Sequence, residues 1–291
     1  MDPRIDNIIE REATAASVVL DRWIPRTSVV RNVRRWIEAV VRDEPDRPPA
    51  ERLTDVIEWR RGATALVRFA ATADSRPFPH VAIVARSESP PTAPDLDLLA
   101  ETARTRFAER NPEAICVFAY GAVYQDWLDG TVPYKRVLAR SVADLRRQPA
   151  PPGAERVAVR TPSNLDFFPE YEAMYEAFRR TSPDLRDVIG IERREDLEAY
   201  LASDGLRLVL VDGELGGLVA GIRHAEFGMA GWRMRERVMA ERHRGTGLGA
   251  AALWAFIRDL EASSEDLLWG TILMEHHASM RSAQRLGRED M

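Results

Sequence analysis

Val238-Met239-Ala240-Glu241-Arg242-His243-Arg244-Gly245-Thr246-Gly247-Leu248-Gly249 is the stretch on which the fold of this 291-residue chain turns. An apolar, strand-like segment leads into it, and the helix-forming run Ala250-Ala251-Ala252-Leu253-Trp254-Ala255-Phe256-Ile257 follows. A strand, a glycine turn and a helix N-terminus make an anion cradle. The first N–H groups of a helix have no intrahelical acceptor, and the helix dipole places partial positive charge there. Glycine suits such a turn because a phosphate must approach the main chain where a Cβ would obstruct it. The spacing excludes two familiar cradles. A P-loop ends in Gly-Lys-Ser/Thr, and no Lys stands here. The dinucleotide fingerprint is Gly-x-Gly-x-x-Gly, whereas Gly245, Gly247 and Gly249 occupy alternate positions.

Elements of the right kind flank the cradle. Leu206 to Gly213 and Leu215 to Ile222 read as two strands joined at Asp212-Gly213, a hairpin dipeptide, and Gly228 to Ala240 alternates as a third strand. Beyond the loop helix, Leu267 to Met274 is a buried-strand run, and His276 to Gly287 reads as a short helix stopped by Gly287. With Arg244, Gly247 and Gly249 the loop resembles the acetyl-CoA loop of the GNAT acetyltransferases, Arg/Gln-x-x-Gly-x-Gly/Ala. The order of elements from about residue 155 onward is similar to that family as well. The last GNAT unit typically reads Asn-x-x-Ala-x-x-x-Tyr-x-x-x-Gly-Phe. Counted back from Gly287, His276 falls at its Asn, Ser279 at its Ala and Ala283 at its Tyr.

The resemblance implies an α/β fold with a mixed sheet: a GNAT-like acyl-CoA-binding domain preceded by a second α+β domain. It implies acetyl-CoA or a related acyl-CoA as cosubstrate, with Arg244, Gly245, Thr246, Gly247, Leu248 and Gly249 around the pyrophosphate. A main-chain donor near Val238 or Met239 would polarise the thioester carbonyl, in the splay between the strand before the loop and the strand after its helix. Ser279 would be a small residue admitting the cofactor, and His276 would contact the pantetheine arm or cap its helix. The sequence departs from the family twice. Ala283 has no proton to give where many members carry an acidic Tyr, and the usual last two strands do not follow the motif helix. The sheet would then be completed by the N-terminal half, or by a partner subunit in a homodimer.

Acyl transfer to a neutral amine needs a group that takes its proton. Glu236, on the strand facing the thioester, is the first candidate base, with Glu241 close to the phosphate turn behind it; Glu236 has a second reading as ion-pair partner of the flanking arginines. His276 and His277 are the other candidates. Glu275-His276-His277 lacks a third ligand at a metal spacing, so no metal is expected. By the same resemblance, acceptor specificity would fall to Phe168–Arg180, the loop from Thr181 to Gly190 with Asp184, Arg186 and Asp187, and Arg194–Ser203. Tyr171, Met174, Tyr175 and Phe178 sit at helical spacing, a stripe that more often makes core than pocket.

Composition bounds the partners. A formal net charge of −5 disfavours nucleic acid. Arg233, Arg235 and Arg237 would share one strand face, as an ion-paired surface or a contact for phosphate or an acidic substrate; Arg242 and Arg244 extend the patch. Lys135 is the only lysine among 41 basic residues, a skew without functional weight. No run approaches the roughly 20 apolar residues that span a bilayer, and Met1-Asp2-Pro3-Arg4 has neither part of a signal peptide. The expectation is a soluble, cytoplasmic protein. Cys116, in the apolar run Ala114 to Tyr120, reads as a small buried hydrophobe.

The Pro-rich stretch 148–154 reads as a linker between residues 1–147 and the acyltransferase domain at 155–291. Before it come a helix at 28–42, a strand pair at Ala63–Ala71 and His80–Arg86, a helix at about 95–110 and a strand at 114–120. That is the order of the central GNAT unit, with Ser87 to Pro94 in place of a glycine loop. A degenerate GNAT-like domain and an unrelated α+β accessory domain both fit. The leading function is N-acyl transfer from acetyl-CoA, or a related acyl-CoA, to a small-molecule amine. The alternatives are a longer or carrier-bound acyl donor, or an acyl-CoA-binding regulatory or scaffold protein without turnover.

Overall fold

The computed structural model describes residues 3–42, 53–71, 79–87, 93–118, 134–186 and 189–291. The chain forms two compact units, Met1–Pro133 with Ala225–Met229, and Tyr134–His224 with Ala230–Met291.

In the first unit, helices α1 (Pro3–Leu20) and α2 (Arg26–Arg42) precede strands β1 (Thr54–Arg60), β2 (Ala63–Ala71) and β3 (Pro79–Arg86). Helix α3 (Ala93–Arg106) and strand β4 (Ala114–Val117) follow. The sheet runs β1-β2-β3-β4; the first three strands are antiparallel neighbours, and β4 lies parallel to β3 because α3 carries the chain back across. Ile57, Trp59, Val67, Val81, Leu99 and Phe107 form its core. Residues 119–133 lie outside the described set, so the expected strand 114–120 is seen to Val117.

The second unit contains strand β5 (Lys135–Ser141), helix α4 (Val142–Arg147) and strand β6 (Val157–Arg160), then helices α5 (Phe168–Thr181) and α6 (Arg194–Ala202). Strands β7 (Leu206–Val211), β8 (Glu214–Glu226) and β9 (Met229–Met239) come next, followed by helix α7 (Leu248–Asp259), strand β10 (Leu267–Leu273), helix α8 (His277–Arg285) and the short strand β11 (Glu289–Asp290). The hairpin expected at Asp212-Gly213 joins β7 to β8, with both residues at positive φ (52° and 88°), as a two-residue turn between twisted strands requires. The sheet order is β11-β5-β10-β9-β8-β7-β6. One face packs on α7 and α4 through Trp232, Leu253, Phe256, Val142 and Leu145. The other packs on α5 and α6 through Tyr171, Tyr175, Leu197, Leu208 and Val238.

The first unit runs helix, helix, three strands, helix, strand, the second contains the same order from α5 to β10, and the strand after the helix lies parallel to the one before it in each (β4 with β3, β10 with β9). The division between the units falls at Pro133/Tyr134, and the Pro-rich stretch 148–154 lies inside the second unit, between α4 and β6. The reason is β5, which pairs antiparallel with all seven residues of β10. A segment of the same chain N-terminal to the motif thereby covers the edge that β10 would otherwise expose.

Candidate active site

β9 and β10 are parallel neighbours over only three pairs, Leu267–Gly231, Leu268–Trp232 and Trp269–Arg233. Beyond Arg233 the two strands part, β10 continuing along β5 to Leu273 and β9 running to Met239. This is the splay expected between the strand before the loop and the strand after its helix.

At its open end stands the glycine loop. Gly245 and Gly247 adopt φ of 74° and 88°, where an L side chain is strained, and a Cβ on either would meet open space. Gly247 is the N-cap of α7 and offers no capping side chain. Among the described residues, the backbone N–H groups of Gly245, Thr246, Gly247, Leu248 and Gly249 donate to no protein acceptor. Five consecutive unspent donors at a helix N-terminus are an arrangement suited to an anion. Arg244 turns away from it. Its guanidinium donates to the carbonyls of Met239 (2.9 Å) and Met174 (2.7 Å), so it clasps the end of β9 to α5. The Thr246 hydroxyl donates to the His243 carbonyl at 2.7 Å, which fixes the turn.

Along β9 the alternation slips. Trp232 and Met234 face α7, yet Arg235 and Glu236 both reach the α5–α6 side, after which Arg237 and Met239 return to the α7–α8 side. One extra residue in a strand has this effect. Arg235 and Arg237 therefore lie on opposite faces, and the expected arginine face does not form. Arg235 donates to Tyr200 Oη (3.1 Å) and pairs with Glu192 (3.4 Å). Arg237 donates to Ser279 Oγ (3.0 Å) and Ser282 Oγ (2.5 Å) of α8.

Glu236 is 5% exposed, and among the described residues no arginine forms an ion pair with it. The hydroxyls of Tyr171 and Tyr175 donate to its carboxylate, Tyr175 at 2.8 and 2.9 Å. Tyr171 in turn accepts the Glu192 N–H at 3.0 Å, which orients its own proton toward Glu236. Burial pushes the carboxyl up to about 7, against the pull of the two phenols toward the ionised form. Both phenols are raised by burial and by the nearby carboxylate, so they stay protonated. Their place follows from α5, where positions 171, 174, 175 and 178 form one stripe. The stripe is core, as the sequence suggested, but two of its members carry polar tips that need a partner once buried. That need was the available signal for the pair.

His276 occupies the N-cap position of α8 without a side-chain capping bond, and its ring lies 5.9 Å from that of Phe178. Burial first, then the Arg237 charge, lowers its imidazole to about 4, so it is neutral near pH 7. Ser279 holds Arg237 rather than standing as bare space. Ala283, 1% exposed, packs with Leu138, Ile272 and Met280 and does not face the splay. Val238 and Met239 are buried at the strand end. The Ala240 N–H donates to Gly216 O of β8, so strand alternation turns the Met239 N–H toward the splay and that of Val238 away. Glu241 opens the short 3-10 turn before the loop and is exposed. In the acceptor loop, Asp184 and Arg186 lie at and just beyond a 3-10 turn, and Asp187 lies outside the described residues. Among the described residues no group of three His, Cys, Asp or Glu is placed to hold a metal, and no helix is long and apolar enough to cross a membrane.

A mixed sheet splayed between two parallel strands, with a glycine loop and helix joining them, is the fold of the GCN5-related N-acetyltransferases. No protein-family model matches the chain, and no curated protein matches it. Among solved structures, a Drosophila protein is similar over 100% of this chain and 94% of its own, at 12% identity and a TM-score of 0.50. At that identity the likeness concerns the fold alone. A GCN5-related N-acetyltransferase from Kribbella flavida is similar over 87% of this chain and 88% of its own (17% identity, TM-score 0.48). A tandem GNAT protein from the clavulanic acid biosynthesis pathway is similar over 99% and 92% (12% identity, TM-score 0.44).

Proposed function

We propose that the second unit is an N-acyltransferase that moves an acyl group from an acyl-CoA, acetyl-CoA in the first instance, to the amine of a small molecule. The observation that carries this reading is the pairing, on one strand and its following loop, of five unspent N–H donors with a buried carboxyl whose pKa lies near 7. The donors suit a diphosphate, which needs no side-chain cation when the main chain is open to it. The carboxyl suits a general base, because a base works best with a pKa near the working pH. The Met239 N–H, turned into the splay, is the main-chain donor available to a thioester carbonyl as negative charge develops on it. Glu236 takes the proton from the attacking amine, and the Tyr171 and Tyr175 hydroxyls hold the carboxylate in place for that transfer. The neutral His276 is available to hydrogen-bond the pantetheine arm.

Calorimetry with CoA and acetyl-CoA, followed by thiol release in the presence of a panel of small amines, tests the proposal. Binding with amine-dependent thiol release supports it. Binding without release from any amine points to an acyl-CoA-binding protein without turnover, and no binding of CoA removes the reading altogether.

A further inference from the structure

Two cations of the splay have no place in that chemistry. Arg288 follows the positive-φ Gly287 that ends α8, and it is 5% exposed. Its guanidinium donates to Leu138 O from Nη2 (2.7 Å) and Nε (3.3 Å), and to Gly270 O from Nη2 (3.4 Å). Among the described residues Nη1 has no protein partner, and no carboxylate lies within ion-pair distance of the group. Gly270 makes the room: a Cβ there would stand 3.1 Å from Arg288 Nη2 and 3.1 Å from the Cβ of Met234. Gly270 and Met234 are the next residues after the last β9–β10 pair, Trp269–Arg233. Arg288 is thus seated at the closed end of the splay, on the α7–α8 face. Arg237, three residues along β9 from Met234, lies on the same face, and among the described residues its guanidinium hydrogen-bonds only two neutral hydroxyls, with Nε unspent.

Buried cations without an anionic partner are costly, and the usual remedy is a counter-ion. Burial lowers Arg237 to about 10, against the attraction of the neighbouring Glu236 carboxylate, and burial together with the Arg237 charge lowers Arg288 to about 9, so both remain charged at neutral pH. The glycine loop is at the other end of β9. From Met239 back to Met234 the strand covers roughly 16 Å. A thioester entering from the loop therefore brings its acyl end, and not its phosphates, to the closed end.

We propose that Arg288, with Arg237, forms a carboxylate subsite at the closed end of the splay, which takes the distal carboxylate of a dicarboxylic acyl group, of the malonyl or succinyl class, on its CoA thioester. This rests on the acyl-CoA reading above. A planar guanidinium with an unspent edge matches a carboxylate, and an acetyl group would leave both guanidiniums without a hydrogen-bonded carboxylate.

The test is calorimetry on the full chain with CoA, acetyl-CoA, malonyl-CoA and succinyl-CoA, on the wild type and on Arg288→Met and Arg237→Met, with thermal unfolding as the folding control. The expected result is that the wild type binds malonyl- or succinyl-CoA at least tenfold more tightly than acetyl-CoA, and that Arg288→Met removes this preference while leaving CoA affinity within about twofold. The wild-type ratio decides the matter even should Arg288→Met fail to fold. Equal wild-type affinities for all three thioesters would overturn the subsite and leave the acyl-CoA reading standing. Loss of affinity for CoA and every thioester alike in the folded variants would overturn it too, assigning the arginines to the phosphates. Failure of CoA itself to bind would remove the acyl-CoA reading on which the subsite rests.

Discussion

The Tyr175 hydroxyl donates to the Glu236 carboxylate at 2.8 Å across the interface between α5 and β9, and the two residues are 6% and 5% exposed. A carboxyl so placed is strongly desolvated, and the phenol favours its ionised form. Tyr175→Phe removes that support, so the Glu236 pKa should rise further above 7. In a pH profile of kcat/KM, the acid limb, set by the need for a deprotonated base, should then move to higher pH by on the order of one unit. An unmoved limb would show that a different group sets it.

The same shift ties stability to pH. The folded-state pKa of Glu236 lies near 7, above the ordinary 4.5, so the folded protein holds that proton where the unfolded chain has lost it. This contribution is fully present below pH 4.5 and is lost as pH rises through 7, a change on the order of 3 kcal/mol. Glu236→Gln should flatten that part of the curve in denaturant unfolding at pH 5 and pH 8. A variant with the wild-type slope over this window would assign it to other groups.

The cradle binds through the main chain, so the two substitutions at Gly247 should differ. Gly247→Asn keeps access to positive φ and should hold CoA affinity within a few-fold. Gly247→Glu sets a negative charge against phosphate and should weaken CoA at least tenfold, about 1.4 kcal/mol. Equal affinities in folded variants would take residues 245–249 out of the binding site.

Ala283 offers a sharper contrast between motif and structure. Alignment to the family pattern places it where a tyrosine acid usually stands, which suggests that Ala283→Tyr restores one. The side chain instead fills a space between Leu138, Ile272 and Met280. Ala283→Tyr should overpack that cluster, lower stability by at least about 1–3 kcal/mol and leave turnover no higher. A stable variant with raised turnover would show that the helix presents this position to the splay.

Closure of the sheet gives a prediction about fragments. β5 covers the full length of β10 and brings the buried Leu138 and Ala139 with it. A fragment beginning at Gly153 loses that strand and should aggregate through the exposed edge. Cooperative unfolding of a monomeric fragment would show that β10 does not need its neighbour.

What the sequence revealed and what it hid have physical causes. The hairpin at Asp212-Gly213, the three central strands, the loop helix and the buried strand after it were legible because their periodicity and turn residues are local. β5 was not. Lys135-Arg136-Val137-Leu138-Ala139-Arg140-Ser141 has a polar start and a short apolar middle, and its role depends on a partner strand more than a hundred residues away. The arginines of β9 were misread as one face because a single extra residue at Arg235–Glu236 inverts the alternation, and no composition signal marks such a slip. Glu236 was identified from its strand position, whereas its phenol partners were read only as core. Arg288 escaped notice because a charged residue after a helix-stopping Gly ordinarily points to solvent, and only Gly270 on another strand makes room for it.

The central claim is that Glu236 is the base, and Glu236→Gln tests it most directly, through steady-state thiol release with the best amine of a panel and CoA affinity measured on the same preparation. The account predicts a fall in kcat of at least a hundredfold, loss of the acid limb expected near pH 7 in the wild type, and CoA affinity within about twofold. A folded Glu236→Gln with wild-type kcat and an unchanged pH profile would contradict it.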